Sequence, residues 1–338
     1  MTMLNYLLSF FMAFIIALAF TPLMRSLAHR WQWLDHPSTE IKTHKQPVAY
    51  LGGVAIWIAF VLTLVFIRFY TDFPTGTLHS LRGILLGSFF IVIVGLIDDY
   101  RPLGFKKKFL GQIIAAIILV YFGIQLKFIY PNYMAILISL IWIVGITNGL
   151  NIIDIMDGLA GGVAAISAFA FLFISLPTEE IYVNFAAIAL AGACCGFLPF
   201  NFNRATIFMG DTGSLLLGFV LASVSLGTSY TKFNSIALFA PLLILAIPIY
   251  DTCLVVILRF RQGRSPFLGS KDHFALRLEA LGLNRKQVVL LTYLVSIILC
   301  FLAWAVTRVN FIGAVVIYGL IIISAVLVFH RLSKIKME

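Results

Sequence analysis

Charge is scarce in this chain of 338 residues: Asp and Glu number 14, Lys and Arg 24, and together they make 11% of a sequence that is 61% hydrophobic. That shortage excludes a soluble domain, because no block of ordinary polar surface separates one apolar run from the next. Alternation of apolar and polar residues over about ten positions is missing too, which excludes a membrane β-barrel. Cysteine is confined to Cys194, Cys195, Cys253 and Cys300, all inside apolar runs and without C-x-x-C spacing, so neither a disulfide framework nor a zinc site is indicated. There is no internal repeat and no low-complexity segment. The basic residues are spread over short segments and form no module able to track nucleic acid, so no nucleic-acid partner is expected.

What is present is a series of apolar runs of transmembrane length. Eleven occur, near 4–24, 48–69, 82–97, 109–126, 133–147, 159–177, 183–200, 213–229, 236–258, 288–306 and 310–330. The expected fold is an all-α polytopic integral membrane protein of about 11 transmembrane helices, forming a single domain over 1–338. The first run lacks a basic n-region and a small-residue cleavage site, and so reads as a retained helix. With the N-terminus outside, every Lys and Arg except Arg68, Arg82, Lys127, Lys232 and Arg308 falls on the inner side. Cytoplasmic loops carry such an excess, so the expected orientation is N-out/C-in in an inner or plasma membrane. Inner segments 25–47, 98–108, 148–158, 200–212 and 259–287 then share the cytoplasmic face.

The acids carry the functional signal. All but Asp72, Glu179 and Glu180 lie on that same inner side, although the positive-inside rule gives acids no such preference. Asp98, Asp99, Asp154, Asp157, Asp211 and Asp251 fall at or near helix ends rather than in mid-loop, and are expected to converge. Asp98 and Asp99 end a helix at the negative pole of its dipole, which stability does not explain; their bland reading is as counterions of Lys106, Lys107 and Lys108. Asn148, Asn151, Asp154 and Asp157, spaced by threes between Gly149 and Gly158, suggest an oxygen-lined, partly unwound segment able to hold a hard cation, with Asp157 as a plain N-cap the alternative. Phe208 to Ser214 opens another helix, where Asp211 or Thr212 suits an N-cap and Gly210 and Gly213 admit an anion to the backbone N–H groups. Asp251 needs a partner inside the bundle or a catalytic role. The long loop 259–287 offers Arg264, His273 and Arg277 to phosphate oxygens, or is simply a solvated basic loop.

Carboxylates for Mg²⁺, with Mn²⁺ as a substitute, and basic groups for a diphosphate at a membrane surface describe phosphoryl transfer to a lipid. A secondary transporter is the competing class, since it too combines many helices with buried carboxylates; an inactive relative of an enzyme is a third.

Lys45 to Gly53, Gly95-Leu96-Ile97-Asp98-Asp99, Asn148 to Gly162, Pro199-Phe200-Asn201-Phe202-Asn203, Phe208 to Ser214 and Arg259 to Leu278 occur in an order that resembles the polyprenyl-phosphate N-acetylhexosamine-1-phosphate transferases. This family includes the enzyme acting on UDP-MurNAc-pentapeptide and the UDP-GlcNAc enzymes that start teichoic acid, O-antigen and N-glycan synthesis. The resemblance implies transfer of a sugar-1-phosphate, most simply GlcNAc-1-phosphate, from a UDP-N-acetylhexosamine to a polyprenyl phosphate, with release of UMP. By motif position it implies Asp211 and Asn151 as Mg²⁺ ligands and Asp98 and Asp99 as the paired catalytic aspartates. It further implies Lys45, Asn148, Asp154, Asp157, Asn201 and Phe208 at the nucleotide, Phe208 stacking on uracil, and a homodimer as an assembly. The chain departs from the family at 273–277, where His273-Phe274-Ala275-Leu276-Arg277 keeps only the first histidine of a His-x-His-His run. The histidine-rich run ending in Phe-Glu of the pentapeptide branch is also absent, which argues against that substrate.

Overall fold

A computed structural model describes residues 2–35, 47–71, 76–178, 180–231, 234–265, 271–335 and 337. Its helices form where the apolar runs predict them, because a segment in hydrocarbon has to satisfy its backbone groups internally. They are α1 (Met3–Arg30), α2 (Gly52–Tyr70), α3 (Thr77–Tyr100), α4 (Phe105–Tyr121), α5 (Asn132–Ile152), α6 (Leu159–Ser175), α7 (Ile181–Asn201), α8 (Gly210–Gly227), α9 (Ala240–Ile244), α10 (Ala246–Arg261), α11 (Phe274–Ala280), α12 (Arg285–Val306) and α13 (Phe311–Ser333). Among the described residues, nine are long and apolar enough to cross a membrane, or ten if α9 and α10 are one broken span. The protein is therefore an all-α, multi-pass membrane protein. α4 has the apolar character of a span but is only 17 residues long.

The run 236–258 is expected as one span and is not continuous. A 3₁₀ turn, Ser235–Phe239, leads into α9, and α9 meets α10 at a 72° bend. Pro248, in the first turn of α10, has no N–H to offer the carbonyl of Ile244, so the helical ladder is interrupted at Leu245.

α6, α7 and α8 form the buried centre, while α13 stands at the edge with only Ala314 and Leu332 buried. The C-terminal ends of α3, α5 and α7 meet the N-terminal ends of α2, α4, α6 and α8, so these helices alternate in direction. Close backbone approach fixes that meeting. Gly53 N donates to Met209 O at 3.0 Å, and Phe208 N donates to Ala49 O at 2.8 Å, beside the two-residue antiparallel strands β1 (Leu34–Asp35) and β2 (Val48–Ala49). Gly95 of α3 lies directly against the backbone of Thr212; a β-carbon there would stand 2.7 Å from Thr212 N.

Candidate active site

Asp98 and Asp99 end α3, but their side chains do different work. Asp99 Oδ1 accepts from Asp211 N at 2.7 Å, while Oδ2 accepts from Thr212 N at 3.0 Å and Thr212 Oγ1 at 2.6 Å. Neither Asp211 nor Thr212 caps α8: its N-cap residue is Met209, without a side-chain bond, and the cap comes across from α3. The anion at this helix N-terminus is thus one of the chain's own carboxylates, and the oxygens of Asp99 are taken up by the start of α8.

Asp98 Oδ1 accepts from Leu103 N at 2.7 Å. Its Oδ2 lies 2.9 Å from Lys108 Nζ, which also lies 2.8 Å from Asp211 Oδ2 and 3.0 Å from Asn151 Oδ1. Asn151 Nδ2 in turn donates to Asp211 Oδ1 at 2.5 Å and to Ser214 Oγ at 2.8 Å. Oxygens from α3, α5 and α8 therefore converge on one point. Among the described residues no three His, Cys, Asp or Glu side chains form an all-protein metal cage. Two carboxylates and one amide oxygen fit instead a hard cation that completes its shell with water and substrate phosphates.

Asn148, one turn before Asn151, donates to Val144 O at 2.8 Å and exchanges hydrogen bonds with the buried Gln112 of α4. Both asparagines are helical, so unwinding is confined to 153–158, after α5 has ended at Ile152. Asp154 sits on that turn, half-buried. Loss of hydration, then the carboxylates of Asp211, Asp99 and Asp157, push its pKa up to about 8.

Asp157 does not cap α6, whose N-cap is Gly158. Its Oδ2 accepts from Arg204 N at 3.2 Å and Ala205 N at 2.8 Å, fastening the loop after α7. The buried Asn201 completes that fastening by accepting from Gly158 N at 2.9 Å and donating to Ile207 O at 3.0 Å. These two residues shape a cavity of about 840 Å³, into which Asp157 and Phe208 face alongside Arg25, His29, Arg204 and Arg285. It offers an aromatic face, a carboxylate and a basic rim, a set suited to a base and its phosphates.

Asp251 and His273 form a separate buried pair. His273 Nδ1 lies 2.8 Å from Asp251 Oδ2, and Asp251 Oδ1 accepts from Phe274 N at 2.8 Å, which answers the need for a partner inside the bundle. Arg277 corrects the expectation of a phosphate-binding group. It is buried, with Nε on Asp272 O, Nη2 on Asp272 Oδ1, and Nη1 on the carbonyls of Leu332 and Ile335 at the end of α13. Its guanidinium is committed to the chain. Arg264 is exposed, and Lys45 lies outside the described residues.

Lys108 is a site residue that sequence reasoning left undistinguished among Lys106, Lys107 and Lys108, the three lysines beside Asp98 and Asp99. The signal for it is Gln112, one turn on along the same helix face and polar inside an apolar run.

Residues 81–229 match glycosyl transferase family 4. The chain is 30% identical over 339 residues to the "Probable undecaprenyl-phosphate N-acetylglucosaminyl 1-phosphate transferase" of Bacillus subtilis (strain 168), covering 98% of this chain and 91% of that one. It is 33% identical over 314 residues to the decaprenyl-phosphate N-acetylglucosaminephosphotransferase of Mycolicibacterium smegmatis, covering 83% and 77%. It is also similar, at 29% over 293 residues and 78% of each chain, to a phospho-N-acetylmuramoyl-pentapeptide-transferase of Prochlorococcus marinus.

Proposed function

The chain belongs to glycosyl transferase family 4, with the polyprenyl-phosphate N-acetylhexosamine-1-phosphate transferases, and we propose from that premise that it moves N-acetylglucosamine-1-phosphate from UDP-N-acetylglucosamine to a polyprenyl phosphate. The observation that carries the reading is the convergence of Asp98, Asp211 and Asn151 on one point; the cavity lined by Asp157 and Phe208 adds room for a nucleotide. A transporter site of this kind is expected near the bilayer midplane, whereas these groups sit at helix ends.

The chain crosses the membrane eleven times, α4 and the broken α9–α10 pair included, N-out and C-in, with the site on the cytoplasmic face of the plasma membrane. The alternating helix directions and the basic residues at the site's end support this. A homodimer is the proposed assembly.

In the reaction an oxygen of the lipid phosphate bonds to the β-phosphorus of the UDP-sugar. The bond from that phosphorus to the bridging oxygen breaks, and UMP leaves with the bridging oxygen. Asp211 and Asn151 would hold Mg²⁺, which would supply positive charge to the diphosphate and to the departing UMP. Phe208 stacks on the uracil, and Asp157 keeps the loop beneath it in place. Asp98 positions rather than deprotonates. A lipid phosphate is already dianionic near neutral pH, and the Asp98 carboxylate is bonded to Leu103 N and Lys108. His273, held by Asp251, and the exposed Arg264 remain the candidates for the diphosphate from their loop.

Asp211→Asn tests the assignment, with UMP release measured at saturating Mg²⁺. The expected loss is at least about a hundredfold, the scale on which electrostatic stabilisation of a transition state acts; near-normal turnover contradicts the metal role.

A further inference from the structure

The point at which the proposed metal ligands converge is occupied by one of the chain's own side chains. Lys108 Nζ stands 2.9 Å from Asp98 Oδ2, 2.8 Å from Asp211 Oδ2 and 3.0 Å from Asn151 Oδ1. An ammonium has three donors and no acceptor, so these three oxygens satisfy it completely. Two of them, Asp211 Oδ2 and Asn151 Oδ1, are also the oxygens a divalent ion would use. Mg²⁺ holds oxygen at roughly 2.0–2.1 Å, so ion and ammonium cannot share them.

We infer that Lys108 is the resident cation of this site, that a divalent ion enters by displacing its ammonium, and that the displaced ammonium then takes the substrate's diphosphate as its partner. The inference rests on the metal reading of Asp211 and Asn151. Three features of the chain support it. Asp98, Asp99, Asp154 and Asp211 crowd the ends of three different elements, α3, α5 and α8, so an empty site would push those elements apart. Lys108 ties α4 to α3, α5 and α8 before any ligand arrives. Finally, it sits in the first turn of α4 on a flexible four-carbon stem, which lets its charge move while its backbone stays fixed.

A thermodynamic consequence separates this arrangement from a fixed salt bridge. Displacement leaves an ammonium without acceptors at a largely buried position, a costly state unless a diphosphate is there to receive it. Ion and nucleotide are therefore expected to bind synergistically, and by linkage each strengthens the other equally. Lys108 opposes the ion when it is alone and favours the loaded complex.

Mn²⁺ binding, followed by electron paramagnetic resonance on the purified full-length chain with and without UDP, reads this without turnover. In the parent protein Mn²⁺ is expected to bind weakly alone and more tightly with UDP. Lys108→Met is expected to tighten binding without UDP by about tenfold or more, as removal of a unit charge at contact distance implies, and to lose most of the enhancement by UDP. Lys108→Gln offers the same test should the Met variant fail to fold. Lys108→Arg, which keeps the charge, and Lys107→Met, which removes an exposed neighbouring charge, are expected to resemble the parent.

Unchanged or weaker Mn²⁺ binding in Lys108→Met and Lys108→Gln overturns the inference. So does equal tightening by Lys107→Met, because a general field rather than occupancy would then be responsible. If the parent and all variants bind no Mn²⁺ even with UDP, the metal reading itself fails. If the parent binds in a manner abolished by Asp211→Asn while loss of Lys108 changes nothing, the metal reading stands and only the displacement falls.

Discussion

Asp99 holds Asp211 by its backbone: the Asp99 carboxylate accepts from Asp211 N at 2.7 Å, while the Asp211 side chain turns to Lys108 and Asn151. One aspartate of the pair thus sets where the other helix begins, and thereby where its ligand points. Asp99→Asn places an amide N–H₂ against the backbone donors of Asp211 or Thr212 and loses the charge facing the helix dipole. A lost cap costs about 0.5–2 kcal/mol, so the thermal midpoint in detergent is expected to drop by a few degrees. Because Asp211 is displaced, the apparent Mg²⁺ requirement of UMP release should rise at the same time. Loss of turnover with an unchanged Mg²⁺ dependence would speak for a direct chemical role instead.

The same junction depends on Gly95. A methyl group there meets the Thr212 backbone, which cannot yield as a side chain can. Gly95→Ala is therefore expected to separate α3 from α8 and to cost about 1–3 kcal/mol or more, the range for overpacking. Gly145→Ala is the matched comparison, since nothing lies within 4 Å of a β-carbon at that position; it should melt like the parent and retain activity. The check is thermal unfolding of both proteins, with UMP release alongside.

Asp154 gives the protein a pH dependence of definite sign. Its pKa is raised from 3.8 to about 8 in the folded chain. Below 3.8 the group is protonated in both the folded and the unfolded chain and contributes no pH dependence. Between the two values the unfolded chain releases a proton that the folded chain retains, so stability falls as pH rises through this window and levels off above it. Asp154→Asn removes the effect. With divalent ions chelated, it should raise the thermal midpoint at pH 8 and change little near pH 4; an equal shift at both pH values would contradict the account.

Much of the architecture is legible in hydropathy because a membrane helix is an uninterrupted apolar run, and each of the eleven runs lands on a helix or on the α9–α10 pair. The 72° bend is not legible in the same way, since Pro248 within a span leaves continuation and break equally open. Site chemistry is legible as residue type but less so as role. Asp98, Asp211 and Asn151 converge as their motifs suggest, whereas Asp99, Asn201 and Arg277 are tied to the chain's own backbone. Side-chain commitment depends on which helix ends meet, and spacing along one segment carries no record of that. Lys108 illustrates the limit best: in the sequence it is one of three consecutive lysines, and only the geometry separates it from Lys106 and Lys107.

The central claim is tested most directly by following the β-phosphorus. UDP-N-acetylglucosamine labelled at that atom is incubated with polyprenyl phosphate, Mg²⁺ and the purified chain, and the organic and aqueous phases are analysed. The account predicts that the label moves into the lipid phase in equal measure with UMP release, and that both are lost with Asp211→Asn. Release of UDP with the label left in water, or passage of substrate across a liposome membrane without any UMP, would contradict it.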